Sequence, residues 1–194
     1  MKKSQRARQA GATLLEALAF LGIAAIIVVG AISMFRAAQG SAQSNAMVSE
    51  LNSHRAAIKT IYATQGYGGA TTYDLSGTIS TAGLAGISRA LFLSKSLPDS
   101  YVNKGLMLFG TSYGATFKAY AGVSTDGTDL FILNFSQVSQ EICLKVAPQI
   151  GGAWLGLQIN GNPFVLTDSQ TFPVATADAQ CTPGTSNTML FVSR

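Results

Sequence analysis

The sequence predicts an α+β protein in which a long N-terminal helix packs against an antiparallel β-sheet. Three observations predict this class: an uncharged apolar run from Ala17 to Phe35, an amphipathic stretch directly after it, and several β-rich segments separated by tight turns in the second half. Helical segments followed by a series of strands are typical of α+β proteins. The 194 residues leave room for one compact domain and little more.

Positive charge is concentrated at the N-terminus. The formal net charge is +4, and it arises from Lys2, Lys3, Arg6 and Arg8, so the remainder of the chain is formally neutral. Proteins that bind nucleic acid carry basic patches on the folded body, so we expect no nucleic-acid partner. Only 11% of the residues are charged and 47% are hydrophobic, which is typical of a secreted or surface-assembled protein rather than a cytosolic enzyme.

The first predicted element is a membrane-spanning helix. As a helix, Ala17–Phe35 would reach about 28 Å, close to the thickness of the hydrocarbon core of a bilayer. The run is too long for the apolar region of a secretory signal peptide, and no A-x-A-like cleavage site follows it closely. The basic residues before it, against the single Arg36 after it, predict a cytoplasmic N-terminus.

A single acid, Glu16, stands at the edge of this run. An acid at this depth is costly unless it lies at the interface or has a partner. The residues alone leave two interpretations open. Either Glu16 begins the helix at headgroup depth, where negative charge suits the positive helix end, or it meets a cation inside the membrane.

The segment GATLLEAL (residues 11–18), after its basic leader, resembles the N-terminal signature of type IV prepilins. The resemblance implies that prepilin peptidase cleaves between Gly11 and Ala12 and that the new terminus at Ala12 is N-methylated. It further implies that Glu16 pairs with the free amine of Ala12 in a neighbouring subunit. The long leader and the first mature residue, Ala rather than Phe, indicate a type IVb-like major pilin.

The same resemblance implies a domain organisation and a set of partners. Residues 1–11 would be the leader, 12–40 the transmembrane and filament-core helix, and 41–194 the globular head. The implied partners are further copies in a helical filament, prepilin peptidase, an inner-membrane platform protein and an assembly ATPase. The subunit would lie in the inner membrane before assembly and in an extracellular pilus afterwards.

Two alternatives share part of this pattern. A minor pilin or a type II secretion pseudopilin carries the same N-terminal signature. A non-polymerising, single-span anchored binding protein would keep its Met1 terminus.

The head begins with a predicted amphipathic helix over residues 41–65, followed by a loop region over 66–104 that corresponds to the αβ-loop of pilins. Apolar residues recur at helical steps, whereas polar residues occupy other positions; the apolar ones are Met47, Val48, Leu51, Ile58, Ile61 and Tyr62, and the polar ones are Ser44, Glu50, Asn52, Ser53 and Lys59. Within the loop region we expect a short helix over Ile87–Ser94.

Residues 105–194 are predicted to form the β-sheet and a disulfide-bounded region. Asp-Gly and Asn-Gly pairs between β-rich runs are strong hairpin signals. The expected elements are strands at Ala115–Val123 and Leu130–Phe135, a helix over Gln137–Ile150, a hairpin of Trp154–Ile159 and Phe164–Leu166, and a last strand at Thr188–Val192.

Cys143 and Cys181 are the two cysteines of the chain. An even number in an apparently exported protein predicts one disulfide, which in pilins bounds the D-region; free or metal-bound cysteines are the alternative. With one histidine, His54, and no C-x-x-C pair, we expect no metal site and no cofactor. A lone histidine also argues against nucleophilic catalysis, so we expect no enzyme and interpret His54 as a packing residue where the helix meets the head.

Overall fold

Helix comes first and sheet second, as the sequence predicts. The computed structural model describes residues 13–64, 66–67, 86–104, 108–124, 127–166 and 170–194. The helices are α1 (Leu14–Ile61), α2 (Gly86–Leu93), α3 (Gln140–Val146) and α4 (Val174–Gln180), with a 3-10 turn at Ala147–Gln149. The strands are β1 (Val102–Asn103), β2 (Phe109–Gly110), β3 (Thr116–Val123), β4 (Asp129–Val138), β5 (Gly156–Ile159), β6 (Asn162–Val165) and β7 (Asn187–Ser193). The chain divides into two compact units between Gln39 and Gly40.

Within the described ranges, the sheet contains seven antiparallel strands in the order β1-β2-β3-β4-β7-β5-β6. The longest pairing joins β3 to β4, from Thr116 opposite Ser136 to Val123 opposite Asp129. β7 lies between β4 and β5, although it follows both in sequence. The predicted class, a long helix on an antiparallel sheet, is confirmed.

The main core lies between the head part of α1 and one face of the sheet. The buried residues of α1 recur at steps of four and three, which places them on one helix face; they are Gly40, Ser44, Met47, Leu51, His54 and Ile58. Facing them are alternate residues of the central strands, because side chains of a strand alternate between its faces; these include Phe117, Phe131, Leu133, Phe135 and Phe191.

A second, smaller cluster occupies the opposite face of the same strands. Its members are the residues between those of the main core, namely Tyr120, Leu130, Ile132, Leu190 and Val192. Both faces of the central strands are therefore apolar, which explains why β4 and β7 read as nearly continuous hydrophobic runs rather than as alternating ones.

α2 covers a free edge of the sheet. β2 pairs with the first two residues of β3, and no other described segment forms a strand along the rest of that edge. The buried Ser88 hydroxyl donates to the Ala119 carbonyl oxygen at 2.9 Å and accepts from the Ala119 N–H at 2.7 Å. One serine thus satisfies both backbone groups of a residue that would otherwise leave them unpaired.

Two hairpin turns were predicted, and one lies fully within the described residues. In the Asn160-Gly161 turn both residues have positive φ, 51° and 85°, which is the geometry of a type I′ turn. The Asp126-Gly127 turn is described only from Gly127 onward, and Gly127 has φ 83°.

Several predicted boundaries are wrong. The helix predicted to reach Gln65 ends at Ile61, and the chain turns so that Tyr67 packs on Phe131 at 5.2 Å between ring centroids. The helix predicted from Gln137 to Ile150 begins only at Gln140, because Val138 still pairs with Asn187 in the sheet.

Ser139 then caps α3 by accepting the Ile142 N–H at 3.3 Å. α4 stands where we expected a loop, and β1 and β2 were not predicted at all.

Candidate assembly site

The N-terminal end of α1 carries the predicted assembly carboxylate. The Thr13 hydroxyl accepts the backbone N–H of Glu16 at 3.3 Å, which satisfies one of the free donors at the helix start. Thr13 and Glu16 have the spacing of a capping box, and the acid lies in the first turn, where the helix dipole favours negative charge. The Glu16 side chain is exposed. Gly11 and Ala12, the predicted processing site, lie outside the described residues.

Apart from Glu16, the segment of α1 from Leu14 to Phe35 is apolar on every side. Large hydrophobic side chains stay exposed around the whole circumference of this segment; they are Leu14, Leu15, Leu18, Phe20, Leu21, Ile23, Ile26, Ile27, Val28, Val29, Ile32, Met34 and Phe35. A helix that is hydrophobic all round requires lipid or other apolar helices around it. Within the described residues, α1 is the helix long and apolar enough to cross a membrane by length and composition.

Small residues interrupt this apolar surface. A Cβ placed on Gly22 or on Gly30 would meet no atom within 4 Å, so neither glycine is required by a contact inside the chain. Glycines on an apolar helix allow another helix to approach closely.

The head part of α1 carries a polar cluster that the sequence did not reveal. The hydroxyls of Tyr101 and Tyr113 both donate to the Glu50 carboxylate, at 2.7 and 2.8 Å. The Tyr101 oxygen also lies 3.3 Å from His54 Nε2. Glu50 was placed on the polar side of the helix, but it is half-buried and joins the helix to the segments around the sheet.

Burial governs the ionisation of this cluster. It lowers the pKa of His54 from 6.5 to about 4, so the imidazole stays neutral. Burial, together with the neighbouring Glu50 charge, raises the pKa of Tyr101 and Tyr113, so both phenols stay protonated and can donate. His54 is completely buried beside Phe117. It is therefore a packing residue, as predicted, but in the core rather than at a boundary.

The predicted disulfide is present. Cys143 of α3 and Cys181, which follows α4, are bonded with their Cα atoms 5.9 Å apart. Both cysteines are buried in the main core, and Gln140 donates from Nε2 to the Cys181 carbonyl oxygen at 3.1 Å. The bond closes a segment that contains the β5–β6 hairpin and α4.

A buried asparagine, Asn187, holds the end of this segment against the sheet. Its Nδ2 donates to the carbonyl oxygens of Val138 and Thr182, at 3.1 and 2.9 Å. Its Oδ1 accepts from the Thr182 N–H and from Asn160 Nδ2, both at 2.8 Å. No sequence pattern indicated this role beyond the position of Asn187 at the start of a strand.

Within the described ranges, no group of three His, Cys, Asp or Glu side chains could hold a metal ion. Among the described residues, Lys145 and Glu141 form an ion pair at 2.8 Å within α3. Lys145 also donates to the Ser41 hydroxyl at 3.1 Å.

Comparisons with known proteins agree with this arrangement. Residues 41–194 match the family model described as PilS N terminal. The fold is similar to a crystal structure of a type IV b pilin from Salmonella typhi, with a TM-score of 0.55 and 17% identity over 74% of this chain and 95% of that one.

Two further solved structures are less similar. One is the type IV pilin TcpA from Vibrio cholerae El Tor, with a TM-score of 0.49 and 11% identity over 76% of this chain and 96% of that one. The other is an NMR structure of the type IVb pilin PilS from Salmonella typhi, with a TM-score of 0.46 and 18% identity over 74% of this chain and 93% of that one. No curated protein matches significantly.

The family match covers most of the chain, and the crystal structure of the Salmonella pilin shares its fold. This chain therefore belongs to the PilS N-terminal family and is a type IVb-like pilin.

Proposed function

We propose that this chain is the major structural subunit of a type IV pilus, held in the inner membrane and then polymerised through its N-terminal helix into a surface filament. The observation that carries the proposal is the segment from Leu14 to Phe35, apolar on every side and with Glu16 as its acid. Such a surface is stable in a bilayer and equally stable in a bundle of identical helices. The family and the fold support a structural role over a catalytic one.

In this proposal Glu16 favours the bundle of identical helices over the bilayer. In this proposal prepilin peptidase cuts between Gly11 and Ala12, and the methylated amine of Ala12 meets Glu16 of a neighbouring subunit. Two opposite charges in an apolar bundle are tolerable together, whereas breaking a buried pair costs about 3–5 kcal/mol. The charge pair would therefore set the register of each new subunit.

The proposal divides the chain into a removed leader over 1–11, a filament-core helix over 12–40 and a head over 41–194. Extracting the helix from the bilayer needs energy and a machine, so it implies an assembly ATPase and an inner-membrane platform protein. The filament itself is a homo-oligomer on the outside of the cell.

The test is Glu16→Gln, which removes the charge and keeps the size. We expect normal membrane insertion and cleavage, with a mature chain that begins at Ala12, but no filaments or very few. The matched control is Asp178→Asn, which neutralises an exposed carboxylate on α4. Filaments of normal number and length from Glu16→Gln cells would overturn the role of the charge pair.

Mass spectrometry of sheared surface fibres separates the alternatives. A major subunit dominates the preparation and begins at a methylated Ala12. A minor pilin or a pseudopilin would begin at the same residue but be scarce. An intact Met1 terminus with no fibres would identify a membrane-anchored binding protein and refute the proposal.

A further inference from the structure

A basic groove lies on the head. It has a volume of about 380 Å³, and it is lined by the end of α1, the segment before β5 and the end of β7. Two cationic side chains, those of Arg55 and Lys59, line it together with Trp154, Ser193 and Arg194. The body of the chain is formally neutral and sparse in charge, so this convergence of cations is a local feature with no counterpart in the composition.

Arg55 is held in place inside this groove. Its Nε donates to the Ser193 hydroxyl at 3.0 Å, and its guanidinium carbon lies 5.8 Å from the ring centroid of Trp154. Trp154 is itself buried in the core. The cation–π contact and the hydrogen bond fix the plane of the guanidinium. Among the described residues, the rest of its donor fork has no hydrogen-bond partner.

Lys59 brings a second cation one helical turn further along. Burial and the positive charge of Arg55 both lower the pKa of Lys59, so the two side chains repel each other across the groove. Like charges four residues apart destabilise a helix. Within the described part of the chain, neither side chain forms an ion pair, since the salt bridge found there joins Lys145 to Glu141. Arg55 lowers the pKa of Tyr67 and Asp129 raises it, so Asp129 lies in the same region. Among the described residues, Asp129 forms no ion pair with either cation.

We propose that this groove is a binding site for a small oxyanion, the carboxylate or phosphate group of a sugar-sized ligand. A fixed guanidinium offers paired donors that match the geometry of a carboxylate or phosphate, and a nearby ammonium adds a mobile charge. The bound anion would relieve the repulsion between the two cations. The groove volume admits a group of about one sugar ring. This site is independent of the filament function proposed above.

The test uses the full-length protein in neutral detergent micelles at constant ionic strength. Trp154 is the only tryptophan of the chain and lines the groove, so its fluorescence reports occupancy. The probes are glucuronate, glucose 6-phosphate and inorganic phosphate, with uncharged glucose as the negative probe. We expect a saturable change with at least one oxyanion and none with glucose. Tighter binding of glucuronate assigns the site to carboxylated sugars, and tighter binding of the phosphates assigns it to phosphorylated ones.

Substitutions test whether Arg55 and Lys59 form the binding site. Arg55→Gln and Lys59→Gln should each weaken binding about tenfold or more, since each removes a charged donor. Arg89→Gln removes an exposed arginine on α2, outside the groove, and should bind as the parent does. Arg55→Gln also removes the contact with Trp154 and could disturb folding for that reason. In that case Lys59→Gln still tests the proposal. No saturable change with any oxyanion, or an equal loss in Arg89→Gln, would overturn the proposal.

Discussion

Acid should weaken the head through a single residue, His54. Its pKa is about 4 in the folded protein against 6.5 when exposed, so the unfolded chain binds the proton more tightly. Stability therefore falls as the pH drops from 6.5 towards 4. For one group with these values, the loss between pH 7 and pH 5 is about 2 kcal/mol, and it reaches about 3 kcal/mol at pH 4. In a domain of this size, the former lowers Tm by roughly 4–8 °C.

The assay is urea unfolding of the full-length protein in detergent micelles at pH 7 and pH 5, followed by the fluorescence of the buried Trp154. His54→Phe removes the titrating group and keeps an aromatic ring beside Phe117. Between pH 7 and pH 5 its free energy of unfolding should therefore fall by about 2 kcal/mol less than that of the parent protein. His54→Gln also keeps an N–H donor for Tyr101, and it serves if the Phe variant is too unstable. An unchanged pH dependence in both variants would refute the reasoning, because this chain has no other histidine.

Substitutions at three further supports of the head are tested by thermal or urea unfolding. Replacing Cys143 and Cys181 with Ser should lower stability by about 4 kcal/mol, because the reduced chain regains the entropy of the loop that the bond closes; equal stability with and without reductant would contradict this. Asn187→Ala should cost about 2–3 kcal/mol by leaving buried carbonyl and N–H groups unpaired, whereas Asn187→Asp, which keeps only the acceptor, should show which half of the side chain matters. Ser88→Ala should cost about 1–3 kcal/mol and should speed hydrogen exchange at Ala119; unchanged exchange there would show that α2 does not protect this strand edge.

Local signals were enough to predict much of the head. A type I′ turn requires positive φ at both of its central residues. Asn-Gly adopts this conformation more easily than most other pairs, so the hairpin at Asn160-Gly161 could be predicted from these two residues. The stripe of Met47, Leu51 and Ile58 has a period that only a helix brings to one face. The short apolar helix α2 was likewise predicted to within one residue at each end.

The rest depended on contacts between distant segments. Glu50 has the same local pattern as a solvated acid, and only the approach of Tyr101 and Tyr113 makes it a structural group. α4 was missed because its sequence, VATADAQ, has a weak apolar period and follows Pro173. The roles of Gly11, Ala12 and Glu16 rest on the resemblance to prepilins and stay predictions.

The central place of β7 decides when a newly made head becomes safe from aggregation. β5 and β6 pair with each other, but they join β3 and β4 only through residues 187–193. Until those residues join the sheet, a folding head holds two separate strand pairs with open edges, and such edges readily capture foreign strands. Pairings between segments so far apart in sequence also form slowly. A folding head therefore exposes open strand edges until β7 has paired with both β4 and β5.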